Sequence, residues 1–105
     1  MGDMDHALPH PEPDEIRIEA VLQALADPVR LTIVRALAES ETGIACGCIE
    51  LPISKSTRTH HIRTLREAGV VWVRAEGTSR ISTLRREDLD KLYPGLLDGV
   101  LSARR

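Results

Sequence analysis

Between Ser54 and Leu84 the chain changes its period once, and that change limits the folds open to it. Ser54 is a credible N-cap for a helix running to Ala68, with Ile62 and Leu65 as its buried face and Gly69 as its stop. Val70, Val71, Trp72 and Val73 are then strand formers, Glu76-Gly77-Thr78-Ser79 has turn chemistry, and Arg80 to Leu84 provide a return strand. A helix followed at once by a β-hairpin with a basic, polar tip needs a small helical body behind it. Trp72, with valines on both sides, is expected in the core.

The upstream segments supply that body. Ile18, Val21, Leu22 and Leu25 fall on one face of a helix expected from Glu15 to about Ala26. Asp27-Pro28 restarts the chain, since Asp caps well and Pro suits the first helical position. Val29, Ile33, Ala36 and Leu37 form its stripe, and Leu31 and Val34 widen it enough to make this helix central. The short apolar run from Ile44 to Leu51, closed by Pro52, is expected to be the first helix of a helix-turn-helix. A last helix from about Arg86 repeats Leu89, Leu92, Tyr93, Leu96, Leu97, Val100 and Leu101, with a kink but no change of face at Pro94-Gly95. Residues 1–14 hold three of the six prolines without a hydrophobic period and are expected to form a mobile tail. The expectation is one mostly α domain over 15–101 with a small β-hairpin, a winged helix-turn-helix.

Charge narrows the function. The formal net charge of -2 hides a strong segregation: residues 1–50 carry a net of -7 and residues 51–86 a net of +6. A basic block inside an acidic protein is the electrostatic footprint of a polyanion site. With one Trp, one Tyr and no Phe among 105 residues, stacking of single-stranded bases is excluded, so double-stranded DNA is the expected partner. Two cysteines build no disulfide framework and point to a reducing, cytoplasmic setting. No apolar stretch has the length of a membrane span. There is no Gly-rich phosphate loop and no evident nucleophile–base set, so an enzyme is not expected.

In a helix-turn-helix the second helix enters the major groove with its N-terminal side chains on base edges. That puts Lys55, Ser56, Thr57, Thr59 and His60 at the bases and Arg63 near phosphate. Arg74 and Arg80 flank the wing, and Thr78 and Ser79 form its tip. His61 is expected to bond against the domain or a phosphate. The first and last helices both carry more apolar surface than one small core can cover. Ile18, Val21, Leu22, Leu25, Leu89, Leu92, Tyr93, Leu96, Leu97 and Val100 are therefore expected to bury a symmetric dimer interface.

LADPVRLTIVRAL at 25–37 and STRTHHIRTLREAGVVWVRAEGTSRISTL at 56–84 resemble the ArsR-type bacterial repressors, and the resemblance extends over roughly 16–101. It implies a dimeric repressor of a palindromic operator that lets go of DNA when a metal, metalloid or oxidant binds. Arg58 departs from the pattern, standing where similar proteins carry an aliphatic residue; its head must snorkel outward and can reach phosphate. The Asp/His zinc site of the family's last helix is absent, because residues 86–101 contain no histidine, and no metal ligand set is assigned. Cys46-Gly47-Cys48 is the candidate sensor, expected on the helix that braces the recognition helix, although it does not align with the family's cysteine pair. Its thiols can be structural, a redox or metalloid site, or a metal site completed by His6 or His10. No cofactor is required. The alternative to a DNA-binding regulator is a thiol or metal-buffering protein on the same scaffold.

Overall fold

The computed structural model describes residues 8–103, the Cys46 side chain excepted. A 3-10 turn at Pro13–Glu15 precedes α1 (Ile18–Leu25) and α2 (Pro28–Ala38). A short strand β1 (Ile44–Ala45) and a 3-10 turn (Cys46–Cys48) lead to α3 (Lys55–Ala68), the hairpin β2 (Val71–Glu76) and β3 (Ser79–Leu84), α4 (Arg86–Leu92) and α5 (Leu96–Ser102). The sheet is antiparallel in the order β1-β3-β2, with Val73 opposite Ser82 and Ile44 opposite Ser82 on the other side. Among the described residues no helix is long and apolar enough to cross a membrane.

The capping chemistry is as expected. The Asp27 carboxylate accepts from the backbone N–H groups of Val29 (2.9 Å) and Arg30 (3.0 Å), with Pro28 at the first helical position. Ser54 Oγ accepts from Thr57 N–H at 3.2 Å. Gly69 ends α3 in the left-handed region at φ 88°, and Val70 N–H returns to Leu65 C=O at 2.9 Å. A Cβ on Gly69 would lie 2.6 Å from Ile16 Cγ1. Gly69→Ala is expected to cost at least about 1–2 kcal/mol from the left-handed backbone alone, measured as a lower denaturation midpoint at unchanged m-value.

Val21, Ala24, Leu25, Ile33, Val34, Leu37, Ile62, Leu65, Val70, Val71, Leu89 and Leu97 make one core. Five expectations change. α1 starts at Ile18 rather than Glu15, because Ile16 leaves the helix and enters the core, where its carbonyl accepts from Tyr93 OH at 3.3 Å. The run Ile44–Leu51 is no helix. Gly43 at φ 99° lies so close to β3 that a Cβ would meet Ser82 O at 2.8 Å, and Ile44-Ala45 pair with β3. Only three residues then remain for a turn before Ile49 returns to extended backbone, too few to nucleate an α-helix.

The terminal helix is broken rather than kinked, since Gly95 at φ 87° starts α5 anew. Leu89 and Leu97 nevertheless both reach the core, so the apolar face is continuous. Trp72 is 43% exposed: strand alternation buries Val71 and Val73 and turns Trp72 outward, where the Arg85 guanidinium lies 3.7 Å over its ring. The residues expected to form a tail divide. Residues 1–7, including His6, lie outside those described, whereas Pro9 bonds to Arg66 of α3, His10 to Val73 of β2 and Pro11 to Arg85 just past β3.

Candidate nucleic-acid interface

α3 and the wing are the two walls of an open groove of about 600 Å³. From α3 come Lys55, Arg58, Thr59, Ile62, Arg63 and Arg66; from the hairpin Val73, Thr78, Ser79 and Arg80; Leu8, Ala45, Gly47 and Cys48 close the rest. The helical spacing explains the α3 wall, because 58, 62 and 66 follow one another at four-residue steps along one side. Among the described residues five cations line the groove and no carboxylate does. Among the described residues no hydrogen bond or ion pair engages the side chain of Lys55 or of Arg80, and the Arg63 side chain carries only the exposed i,i+4 pair with Glu67 at 3.0 Å, a weak tether. Such a concentration of positive charge between two protrusions suits one strand of a phosphate backbone.

The first turn of α3 is exposed at Lys55, Ser56 and Thr57, as are Thr59 and His60. Several hydroxyls are already engaged locally: Ser54 Oγ donates to Thr57 Oγ1 (2.9 Å) and lies 3.2 Å from Ser56 Oγ, and Thr59 Oγ1 donates to Lys55 C=O (3.0 Å). Ser56 and Thr57 retain lone pairs for a base edge or a phosphate.

Two expected DNA contacts face elsewhere. His61 Nδ1 lies 3.0 Å from Arg30 Nη1, on the side of the body, and Arg30 also donates from Nε to Ala24 C=O at 2.6 Å. Arg30 thereby joins the end of α1 to the recognition helix. Its backbone N–H, more than its charge or that of His61, holds the Asp27 carboxyl below the usual carboxylate range. Arg74, on the strand face opposite Val73, donates to Thr42 C=O (3.1 Å) and Thr83 Oγ1 (3.3 Å). Arg85 and Arg86 of the basic block are likewise structural. Arg85 is buried against Asp88 at 3.0 Å, and Arg86 pairs with Asp90 and Asp98. The footprint in the groove is therefore Lys55, Arg58, Arg63, Arg66 and Arg80.

Arg66 was not anticipated as a groove residue; its signal is the four-residue step from Ile62. Arg58 is half-buried with its stem between this groove and the hollow at Ile49–Pro52, and its Nε is buried without a hydrogen-bond partner among the described residues.

Cys48 is exposed on the groove's margin, within a 3-10 turn rather than a helix. The Cys46 side chain lies outside the described residues, and so does His6. Among the described residues no group of three or more His, Cys, Asp or Glu is placed to hold a metal, and His10 Nε2 is already bonded to a backbone N–H. The expectation that Cys46-Gly47-Cys48 lies on a helix bracing the recognition helix is overturned, since these residues form a 3-10 turn.

A profile of the bacterial regulatory protein arsR family matches residues 27–72. An HTH-type transcriptional regulator of Bacillus subtilis, YceK, is 34% identical over 87 residues, covering 81% of this chain and 86% of that protein. The chain belongs to the ArsR family. Rv2034 of Mycobacterium tuberculosis, another HTH-type transcriptional regulator, is 33% identical over 84 residues, 73% of this chain and 78% of that one. The crystal structure of the transcriptional repressor BigR from Xylella fastidiosa superposes with a TM-score of 0.59 at 25% identity, covering 72% of this chain and 85% of BigR. This ArsR-family chain is a DNA-binding transcriptional regulator with a winged helix-turn-helix fold.

Proposed function

We propose that the chain is a repressor acting in the cytoplasm, which binds a palindromic operator as a homodimer, α3 lying in the major groove and the wing on flanking backbone. The groove, lined among the described residues by five cations and no carboxylate, between the first turn of α3 and the tip at Thr78–Arg80, carries this reading. BigR, a repressor, supports the regulatory sense.

The dimer rests on apolar groups that the chain's own core leaves uncovered. Ile18 and Leu22, one turn apart on α1, are 38% and 49% exposed, and Leu92 at the end of α4 is 36% exposed. Tyr93, Leu96 and Val100 are half-buried beside them in sequence. Val21, Leu25, Leu89 and Leu97, expected at the interface, are 5% exposed or less within the single chain and are core instead. Two α3 helices related by a dyad would meet successive major grooves.

In vitro selection from a random duplex pool should recover an inverted repeat. On that duplex, Ser56→Ala is expected to relax preference at one base position of each half-site by about 1–3 kcal/mol, while leaving affinity for random duplex unchanged. Equal losses on the selected and random duplexes would refute base reading by the first turn of α3.

A further inference from the structure

Residues 9–11 cross from the recognition helix to the wing and bond to both. Pro9 C=O accepts from Arg66 Nη1 on α3 at 2.5 Å, and Pro11 C=O accepts from Arg85 Nη1, just past β3, at 2.8 Å. Between them His10 Nε2 accepts from the Val73 backbone N–H at 3.0 Å. β2 is an edge strand of the sheet, so this N–H lies on its outer side and His10 covers a donor that would otherwise be bare. The imidazole also lies against the Trp72 ring, centroids 5.0 Å apart, and Arg85 covers the same indole at 3.7 Å.

We propose that residues 9–11 are a latch that fixes the wing against the recognition helix, with His10 as its proton-sensitive positioning residue, and that closing the latch raises affinity for DNA. This inference rests on the reading of the α3–wing groove as the DNA site. Arg66 lines that groove and Leu8 stands at its edge, so the latch fixes one of the groove's cations and the strand that carries its second wall.

The chemistry makes the latch conditional. An imidazole accepts at Nε2 only while that nitrogen is unprotonated; the imidazolium donates at both nitrogens and cannot pair with the Val73 N–H. Two cations face it from the packed elements, Arg66 of α3 and Arg85 ahead of α4, the latter partly neutralised by Asp88 at 3.0 Å. β2 presents Trp72 and the Val73 N–H to it, neither of them a carboxylate. Burial, reinforced by the Arg66 charge, holds the His10 pKa below 6.5, against an opposing hydrogen bond with the Leu8 backbone. The sign follows from linkage. Above the ordinary histidine range the ring is neutral whether docked or released, and the latch is fully closed. As pH falls below 6.5 the released ring takes a proton that the docked ring resists, and closure weakens down to the docked value.

The experiment uses the full chain and the duplex recovered by selection, comparing wild type, His10→Gln and His10→Ala. A glutamine oxygen can accept from Val73 N–H and does not titrate. Trp72 is the protein's one tryptophan, so its emission reports the latch without DNA. Wild-type emission should show a transition below pH 6.5 that His10→Gln lacks. Between about pH 7.5 and about pH 5.5, wild-type affinity should fall about fivefold more than that of His10→Gln, whatever the two proteins have in common cancelling in the comparison. His10→Ala should bind about fivefold more weakly at the higher pH, with unchanged helical circular dichroism. Superimposable emission titrations for wild type and His10→Gln, or wild-type affinity in folded His10→Ala, would overturn the latch. A selection that recovers no duplex would instead overturn the DNA reading, while the emission titration still decides whether the latch opens.

Discussion

Leu97→Asp is expected to unfold the chain, and Leu92→Asp is expected to leave it folded but shift it toward monomer. Both leucines lie on the same apolar repeat of the last two helices, two or three residues from the Pro94-Gly95 break. Leu97 is wholly buried within the single chain among the core residues, whereas Leu92 is 36% exposed. A carboxylate at 97 loses the leucine's packing and must either be buried as a charge or take up a proton, a cost of about 3–5 kcal/mol. That is a large part of the stability expected of a domain this small. At 92 the same substitution meets water in the monomer and opposes only association. Circular dichroism and sedimentation separate the two: loss of helix for Leu97→Asp, retained helix with a smaller sedimentation coefficient for Leu92→Asp. A folded, dimeric Leu92→Asp would move the interface away from α4.

The contrast between these two leucines shows what the sequence could and could not convey. Local signals were strong: Asp27-Pro28, Ser54 and Gly69 each act through a backbone need that their chemistry alone meets, and each caps as expected. The repeat also located the apolar face of the last helices, but not how much of it the first helix and the central helix would cover. Coverage is a tertiary property. Val21 and Leu25 went to the core while Leu22 did not, although all share the α1 pattern.

The segment 44–48 failed for a related reason. Its residues are apolar enough for either structure, and the decision lay with Gly43, whose missing Cβ lets the chain approach Ile81 and Ser82 on a strand distant in sequence. Trp72 was legible had alternation outweighed its valine neighbours. At the site, net charge marked the right stretch but not the right residues, because Arg74, Arg85 and Arg86 serve carbonyls, a carboxylate network and an indole rather than the groove.

That division within the basic block gives the second large expectation. Lys55→Ala combined with Arg80→Ala is expected to weaken all duplexes alike, on the order of a hundredfold near physiological salt, and to reduce the slope of log K against log salt by about 3 to 4. The magnitude comes from two phosphate contacts per subunit and two subunits on the DNA, each contact releasing roughly 0.9 of a counterion. Both side chains are exposed and neither holds another part of the described structure, so the denaturation midpoint should not move. Arg74→Ala is the matched control. It removes the same charge from the same wing, but its guanidinium is tied to Thr42 and Thr83 on the other face of β2, so the salt slope should stay near wild type while stability drops. Equal slope changes per charge for Arg74 and Arg80 would mean that DNA senses only the net charge of the wing. A change confined to Lys55 and Arg80 would mean that it lies in the groove.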